Sequence, residues 1–124
     1  MARYEHLPIY KSVYDLNIYF FQLARGFPKD YKYGLAMQIE QLLNSMLDVV
    51  IEANSSLNKT LLLKDGFMLV EKVKFKARML KDLKVMSLKS YQHFFTQLVD
   101  ISKQFEKWCQ WSEKGICVRA DYLA

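Results

Sequence analysis

Apolar residues recur every three or four positions along most of this chain, which is the spacing of one face of an α-helix. The first run predicts a helix over about 8–25, because a proline near a helix start loses no hydrogen bond and Gly26 followed by Phe27-Pro28 supplies a stop. Its members are Ile9, Val13, Leu16, Phe20 and Leu23. A second run has the spacing of a bundle seam and predicts a helix over about 29–53. Its members are Leu35, Ile39, Leu42, Met46, Val49 and Ala53.

Two further runs follow. The third predicts a helix over about 58–85, and its core side carries Leu62, Leu69, Val73, Ala77, Leu80 and Leu83. Asp65-Gly66 lies inside this run, and since glycine costs a helix interior about 1 kcal/mol relative to alanine, both a continuous helix and a break here remain open. The fourth run begins after a serine cap at Ser87 or Ser90 and ends at Gly115. Its members are Tyr91, Phe94, Leu98, Ile101, Phe105 and Trp108.

The connections between these runs are short, and short loops force consecutive helices to run in opposite directions. We therefore predict an all-α protein, an up-down-up-down antiparallel four-helix bundle. A chain of 124 residues with 52% apolar composition has room for one core, so we predict a single domain over 1–115 and a C-terminal tail over 116–124. Four glycines and two prolines are too few for the many turns of a β protein.

Signatures of catalysis are missing from the sequence. The glycines stand singly at 26, 34, 66 and 115, so no phosphate-binding loop is formed, and no zinc motif or Glu-x-x-His pair of a di-iron bundle is present. His6 and His93 are the only imidazoles. We expect a protein without catalytic residues, metal ligands or cofactor, while a site hidden in the bundle core is the enzymatic alternative.

The compartment follows from two further features. No apolar stretch is long enough to cross a bilayer or to act as a secretion signal, so we expect no membrane association. Cys109 and Cys117 form no disulfide framework and suit a reducing compartment, where we expect two inert thiols. These features predict a cytoplasmic protein.

Positive charge is concentrated in the third predicted helix. The chain has a net charge of +5, and residues 72–89 contain seven lysines and arginines but one acid, Asp82. On a helical wheel Lys74, Arg78 and Lys81 share a stripe turned away from the predicted core, and Lys72, Lys76 and Lys84 flank that core. A stripe without compensating acids favours a polyanion or an acidic partner. The alternative is an ordinary solvated helix face whose lysine stems cover apolar edges.

A second basic group lies at the first predicted turn. Arg25, Lys29 and Lys32 alternate there with aromatic side chains, namely Phe27, Tyr31 and Tyr33. Cations could contact phosphates while the rings stack on exposed bases, as in single-stranded RNA binding. Equally, the rings could pin the turn onto the core.

Several segments together resemble a known family. They are LPIYKSVYDL, ARGFPKDYKYGL, IEAN, LKDLKVMSLKSY and FEKWCQW, spread over residues 7–111. These segments resemble the accessory variability determinant proteins of diversity-generating retroelements, relatives of the four-helix proteins encoded in bacterial 23S rRNA intervening sequences. The most specific pieces are the R-x-F-P-K turn, the leucine-and-lysine stretch that ends in Ser87-x-Lys89-x-Tyr91, and the tryptophan near the end of the fourth helix. The turn is formed here by Arg25, Phe27, Pro28 and Lys29.

The resemblance implies a homopentamer shaped as a barrel, which binds nucleic acid and associates with a reverse transcriptase during mutagenic copying of a template RNA. The basic surface is the part that the resemblance implicates. On this chain its candidates are Lys74, Arg78, Lys81, Lys84, Arg25, Lys29 and Lys32. The alternatives are a protein of the intervening-sequence type and a protein-interaction module that docks an acidic partner.

Overall fold

The computed structural model describes residues 4–113, and this part of the chain is helical without any strand. A 3₁₀ turn precedes five α-helices. The turn is Tyr4–His6, and the helices are α1 (Pro8–Ala24), α2 (Lys29–Lys32), α3 (Leu35–Ser55), α4 (Thr60–Asp82) and α5 (Leu88–Glu113). The four long helices form the bundle, and α2 is a single turn in the connection from α1 to α3. The predicted all-α four-helix architecture is confirmed. None of the described helices is long and apolar enough to cross a membrane.

Side-chain hydrogen bonds between helices show the antiparallel order. They join Gln104 of α5 to Ser12 of α1, Asn17 of α1 to the Leu43 carbonyl of α3, and Lys76 of α4 to Gln38 of α3. In the first and third pairs a residue from the first part of one helix meets a residue from the later part of its neighbour, and Asn17 and Leu43 meet near the middle of both helices. Each long helix packs on the next, and α5 returns to α1, which closes the four-helix cross-section.

The core is built mainly from aliphatic side chains around four buried phenylalanine rings, of which Phe20, Phe94 and Phe105 are fully buried. Phe20 and Phe94 contact across α1 and α5 with centroids 5.1 Å apart, and Phe105 is fully buried further along α5. Full burial of such a side chain contributes roughly 1.5–3 kcal/mol. Asn17 is a buried polar residue, and its amide donates to the carbonyls of Val13 and Leu43. This amide fixes the register between α1 and α3.

The second predicted helix is broken in the structure. Residues 29–53 were expected as one helix, but α2 ends at Lys32 and α3 begins at Leu35. Gly34 lies between them with φ −115° and ψ −103°, and a Cβ at this position would come within 2.8 Å of the Asp30 carbonyl oxygen. The chain bends sharply at a residue without a side chain, and the apolar pattern of α3 gives no sign of this bend.

Helix α4 is continuous through Gly66, which decides between the two alternatives left by the sequence. Gly66 is buried, and a Cβ there would come within 2.6 Å of Cε1 of Phe105. The buried face also differs from the prediction. It consists of Leu63, Gly66, Val70, Val73, Ala77 and Leu80, whereas Leu62 and Leu69 are half-buried and Leu83 is 49% exposed. The core side of α4 is therefore rotated by about 50° from the predicted one.

Helix α5 begins where the sequence predicts. The Ser90 N–H donates to Ser87 Oγ at 3.1 Å, so Ser87 caps the helix. The predicted end at Gly115 and the tail over 116–124 lie outside the described residues. Cys109 is buried and disulfide-bonded, which contradicts the expectation of an inert thiol at this position, and Cys117 lies outside the described residues.

Candidate nucleic-acid interface

The predicted basic stripe of α4 is partly neutralised by the chain's own acids. Lys74 Nζ lies 2.9 Å from a Glu71 carboxylate oxygen, Arg78 Nε lies 3.7 Å from Asp82 and Lys81 Nζ lies 3.2 Å from the same carboxylate. The expectation that these three cations are unneutralised is wrong. Glu71 stands just before the basic segment and Asp82 one turn after Arg78, so both reach cations three or four residues away on the helix.

Lys74 and Lys81 are also packed between helices. Lys74 Nζ lies 5.6 Å from the Phe95 ring centroid and Lys81 Nζ lies 5.1 Å from that of Tyr91, and the two side chains are only 22% and 28% exposed. The rotation of α4 turns both lysines toward the seam with α5. Their stems and charges therefore help to hold α4 against α5, in addition to any role on the surface.

Arg78 and Lys84 are more accessible. The Arg78 side chain is 71% exposed, and an exposed ion pair as long as 3.7 Å contributes little. Because Asp82 is shared between Arg78 and Lys81, one positive charge is left over at this position. Lys84 is exposed and has no ion-pair partner within the described part of the chain.

Lys84 has an unusual backbone conformation for a lysine. Its φ is 64°, in the left-handed region that usually takes glycine. The Lys84 N–H donates to the Lys81 carbonyl and the Val85 N–H donates to the Leu80 carbonyl, both at 2.9 Å. This pair of bonds is a Schellman motif, which closes the C-terminus of α4. A non-glycine residue here costs about 1 kcal/mol, so the fold keeps a cation at the helix end against a local penalty.

The second basic group lies around α2. Arg25 and Lys29 are exposed, and Lys32 is half-buried with its Nζ 5.9 Å from the Tyr33 ring centroid. The aromatic residues divide between the two roles considered above. Phe27 is buried edge-on to Phe20 and Tyr31 packs on the core, whereas Tyr33 is 63% exposed. Two rings pin the turn, whereas the Tyr33 ring lies beside the Lys32 ammonium and is largely exposed to solvent.

The fold brings both basic groups to one end of the bundle. Since α1 and α4 both run toward this end, the α1–α3 and α4–α5 connections lie side by side, with neighbouring helix axes roughly 8–10 Å apart. We call the surface formed by residues 25–34 and 78–89 the basic end. It contains seven of the eighteen lysines and arginines and two of the thirteen acids. The other eleven of each sign cancel, so the basic end accounts for the whole net charge of +5.

Six of the seven predicted site residues belong to the basic end, and Lys74 lies about one turn before it on α4. The structure adds Lys89, which is exposed at the start of α5. In the linear sequence the two basic groups are about 40 residues apart, and their charge pattern alone does not show that they meet. Their meeting could have been found by combining the predicted helix limits with antiparallel topology, because both groups flank connections at the same end.

These features define an antiparallel four-helix bundle of basic character with a positively charged end. A family model described as bAvd-like matches residues 7–111, which include α1 to α4 and nearly all of α5. The chain belongs to this family, and the resemblance to accessory variability determinant proteins is confirmed. No significant match is found among curated proteins or among solved structures.

Proposed function

We propose that this protein is a non-enzymatic accessory protein of a diversity-generating retroelement, and that it binds nucleic acid through its basic end while working beside a reverse transcriptase. Family membership supports the accessory role. The observation that carries the nucleic-acid part is the location of the entire net charge at one end of the bundle. A field of this kind attracts a polyanion to one defined surface.

The basic end has the two components that single-stranded nucleic acid requires. Exposed cations, among them Arg25, Lys29 and Lys84, replace the counterions that condense around phosphates, which gives affinity with little sequence preference. Tyr33 offers an exposed ring for stacking on an unpaired base. Such stacking has little sequence preference, because every base has a flat aromatic face. The protein would thus hold a template RNA through the phosphate backbone of the RNA, and the polymerase would read the RNA sequence.

Self-association would strengthen this role. Copies arranged in a ring present several basic ends to one strand, and linked sites bind more tightly than single ones without new contacts. The resemblance implies five copies, and we propose a ring of this kind.

The test is binding of a mixed-sequence single-stranded RNA, measured by fluorescence anisotropy across a salt series. The double variant Lys29→Gln/Lys84→Gln removes two cations from the basic end. Its matched control, Lys103→Gln/Lys107→Gln, removes two exposed cations from the other half of α5. If each removed cation contacts a phosphate, the slope of log K against log salt becomes shallower by about 1.4 per strand bound. The control should keep the slope of the unmodified protein.

Equal effects of the two double variants, or binding that does not depend on salt, would contradict the proposal. An acidic protein partner is the alternative use of the same surface. In that case the purified protein fails to retard mixed RNA at physiological salt. A neighbouring reverse transcriptase gene with paired repeats, as opposed to an rRNA insertion, separates the retroelement role from the intervening-sequence type.

A further inference from the structure

The outermost side of α4 is apolar. Leu61, Met68, Phe75 and Met79 follow one another at steps of seven, seven and four residues, and each is at least 45% exposed. We call them the α4 stripe. It extends about 27 Å along the helix. An exposed apolar surface of this length is unusual on a monomer and marks a contact with another molecule.

Charged side chains lie beside the residues of the α4 stripe, and the cation nearest its middle is Lys72. Lys72 stands one turn from both Met68 and Phe75, is exposed, and has no ion-pair partner in the region that the structure covers. It differs in this respect from Lys74 and Lys81 on the flank of the same helix, which are paired with acids.

A second apolar surface borders the seam between α1 and α3. It comprises Tyr14, Ile18 and Phe21 of α1 together with Met37, Leu47 and Ile51 of α3. We call it the α1/α3 face. The hydrogen bond from Asn17 to the Leu43 carbonyl crosses this seam, and the residues of the face lie just outside it on both helices.

One acid interrupts the α1/α3 face. Glu40 lies one turn after Met37 and two turns before Leu47 on the same side of α3, and it is half-buried. Burial raises the pKa of its carboxyl group, although the nearby Lys32 ammonium opposes this rise. Glu40 forms no ion pair with any described residue. Each apolar surface therefore carries a charge that forms no ion pair with a described residue, Lys72 on the α4 stripe and Glu40 on the α1/α3 face, and these two charges have opposite signs.

We propose that the α4 stripe of one copy packs into the α1/α3 face of a second copy, with Lys72 opposite Glu40. This inference rests on the self-association in the proposed function and names the surfaces that form it. A helix ridge such as the α4 stripe fits the groove between two neighbouring helices. The two surfaces differ, so the contact is heterologous and can close into a ring.

The heights of the two charges along the bundle agree with this contact. The hydrogen bond between Lys76 and Gln38 marks one level shared by α4 and α3. Lys72 lies four residues before Lys76 on α4, and Glu40 lies two residues after Gln38 on the antiparallel α3. At 1.5 Å per residue, both are displaced from this level away from the basic end, Lys72 by about 6 Å and Glu40 by about 3 Å. A closed ring with its axis along the bundles allows no displacement along that axis, so facing groups must lie at similar heights. A difference of about 3 Å is within the reach of two long side chains.

The Glu40–Lys72 pair would fix which surfaces meet and in which register. The apolar residues supply most of the contact area, while complementary charges exclude the arrangements in which like charges face each other. This division of roles makes a charge exchange the decisive test.

The experiment measures molar mass in solution by light scattering at matched protein concentrations. The unmodified protein should form an assembly, and Glu40→Lys or Lys72→Glu alone should shift it toward the monomer. The double variant Glu40→Lys/Lys72→Glu should return the mass to that of the unmodified protein. Lys103→Glu, an exposed charge reversal on α5 outside both surfaces, is the matched control and should leave the mass unchanged.

Circular dichroism of each variant checks that it is folded, because Lys72 is exposed but Glu40 is half-buried. The proposal is overturned if the unmodified protein is monomeric, if both folded single variants assemble normally, or if the folded double variant stays dissociated. RNA binding is measured on the same samples. If the unmodified protein assembles and its assembly depends on Glu40 and Lys72, but it does not bind RNA, the nucleic-acid role is refuted and the interface is supported.

Discussion

Lys84 is the residue at which local structure and proposed function conflict most clearly. Its left-handed backbone favours glycine, yet a lysine stands there at the centre of the basic end. The Schellman bonds that it makes use only the backbone, so they do not require this side chain. The charge is therefore the part of Lys84 that can act on a partner.

We predict that Lys84→Gly makes the protein more stable and a weaker binder of RNA. Relief of the left-handed strain should raise the free energy of unfolding by about 0.5–1 kcal/mol, as measured by urea denaturation. Lys84→Ala is the control, because it removes the charge and keeps the strain. If the glycine variant is no more stable than the alanine variant, the backbone at residue 84 is not strained.

Tyr33 tests the stacking part of the proposal. Tyr33→Ala should weaken single-stranded RNA binding by about 1–3 kcal/mol, the usual contribution of one stacked base, whereas Tyr33→Phe should retain most of the affinity. Because the side chain is 63% exposed, thermal unfolding should change little in either variant. Weaker binding that is equal in the two variants would point to the hydroxyl group and against stacking.

At the scale of elements, the sequence predicts α1 and α4 to within a few residues, whereas α3 begins at Leu35 and not near residue 29 as expected. Periodicity locates α1 and α5 well because their buried faces carry large apolar residues throughout, such as Phe20, Phe94 and Phe105. It misses the bend at Gly34, since what bends the chain there is a close approach to the Asp30 carbonyl and not a change in the apolar pattern.

Helix α4 shows why the candidate site was harder to predict than the fold. The apolar pattern predicts its leucines in the core, but the Phe105 ring of α5 packs against the buried Gly66, where a side chain would not fit. Placing Gly66 inward turns Leu62 and Leu69 to the flank and brings Lys74 to the α5 seam. A hydrophobicity pattern does not predict that Gly66 faces the core, because glycine is buried here for its small size and not for an apolar side chain.

Gly66→Ala should therefore destabilise the protein, although alanine is the better helix former. The added methyl group meets the fully buried Phe105 ring at 2.6 Å, and overpacking of this kind costs about 1–3 kcal/mol, which exceeds the gain of about 1 kcal/mol in helix propensity over most of that range. Urea denaturation measures the change.

The smaller side chain of Phe105→Leu supplies the control. On its own it should destabilise by leaving a cavity, but combined with Gly66→Ala the loss should be smaller than the sum of the single losses. Simple additivity of the two changes would mean that the methyl group and the ring do not meet.

At the scale of the whole molecule, composition gives a net charge of +5 but not its location. The antiparallel order decides the location, because it gathers residues 25–34 and 78–89 at one end and leaves the rest of the chain neutral. Along α4, whose 23 residues extend about 35 Å, the two ends are separated by more than three times the screening length of about 10 Å at 0.1 M salt. An ionic surface therefore responds to one end at a time.

Two variants of identical net charge should for this reason behave differently on a cation exchanger. Lys29→Gln/Lys84→Gln weakens the basic end, while Lys103→Gln/Lys107→Gln removes the same charge about 20–30 Å away along α5. Retention depends on the strongest patch that can face the matrix, so the first variant should elute at clearly lower salt than the second. If both variants elute at the same salt concentration, the positive charge is spread evenly over the surface, and a polyanion would not prefer the basic end.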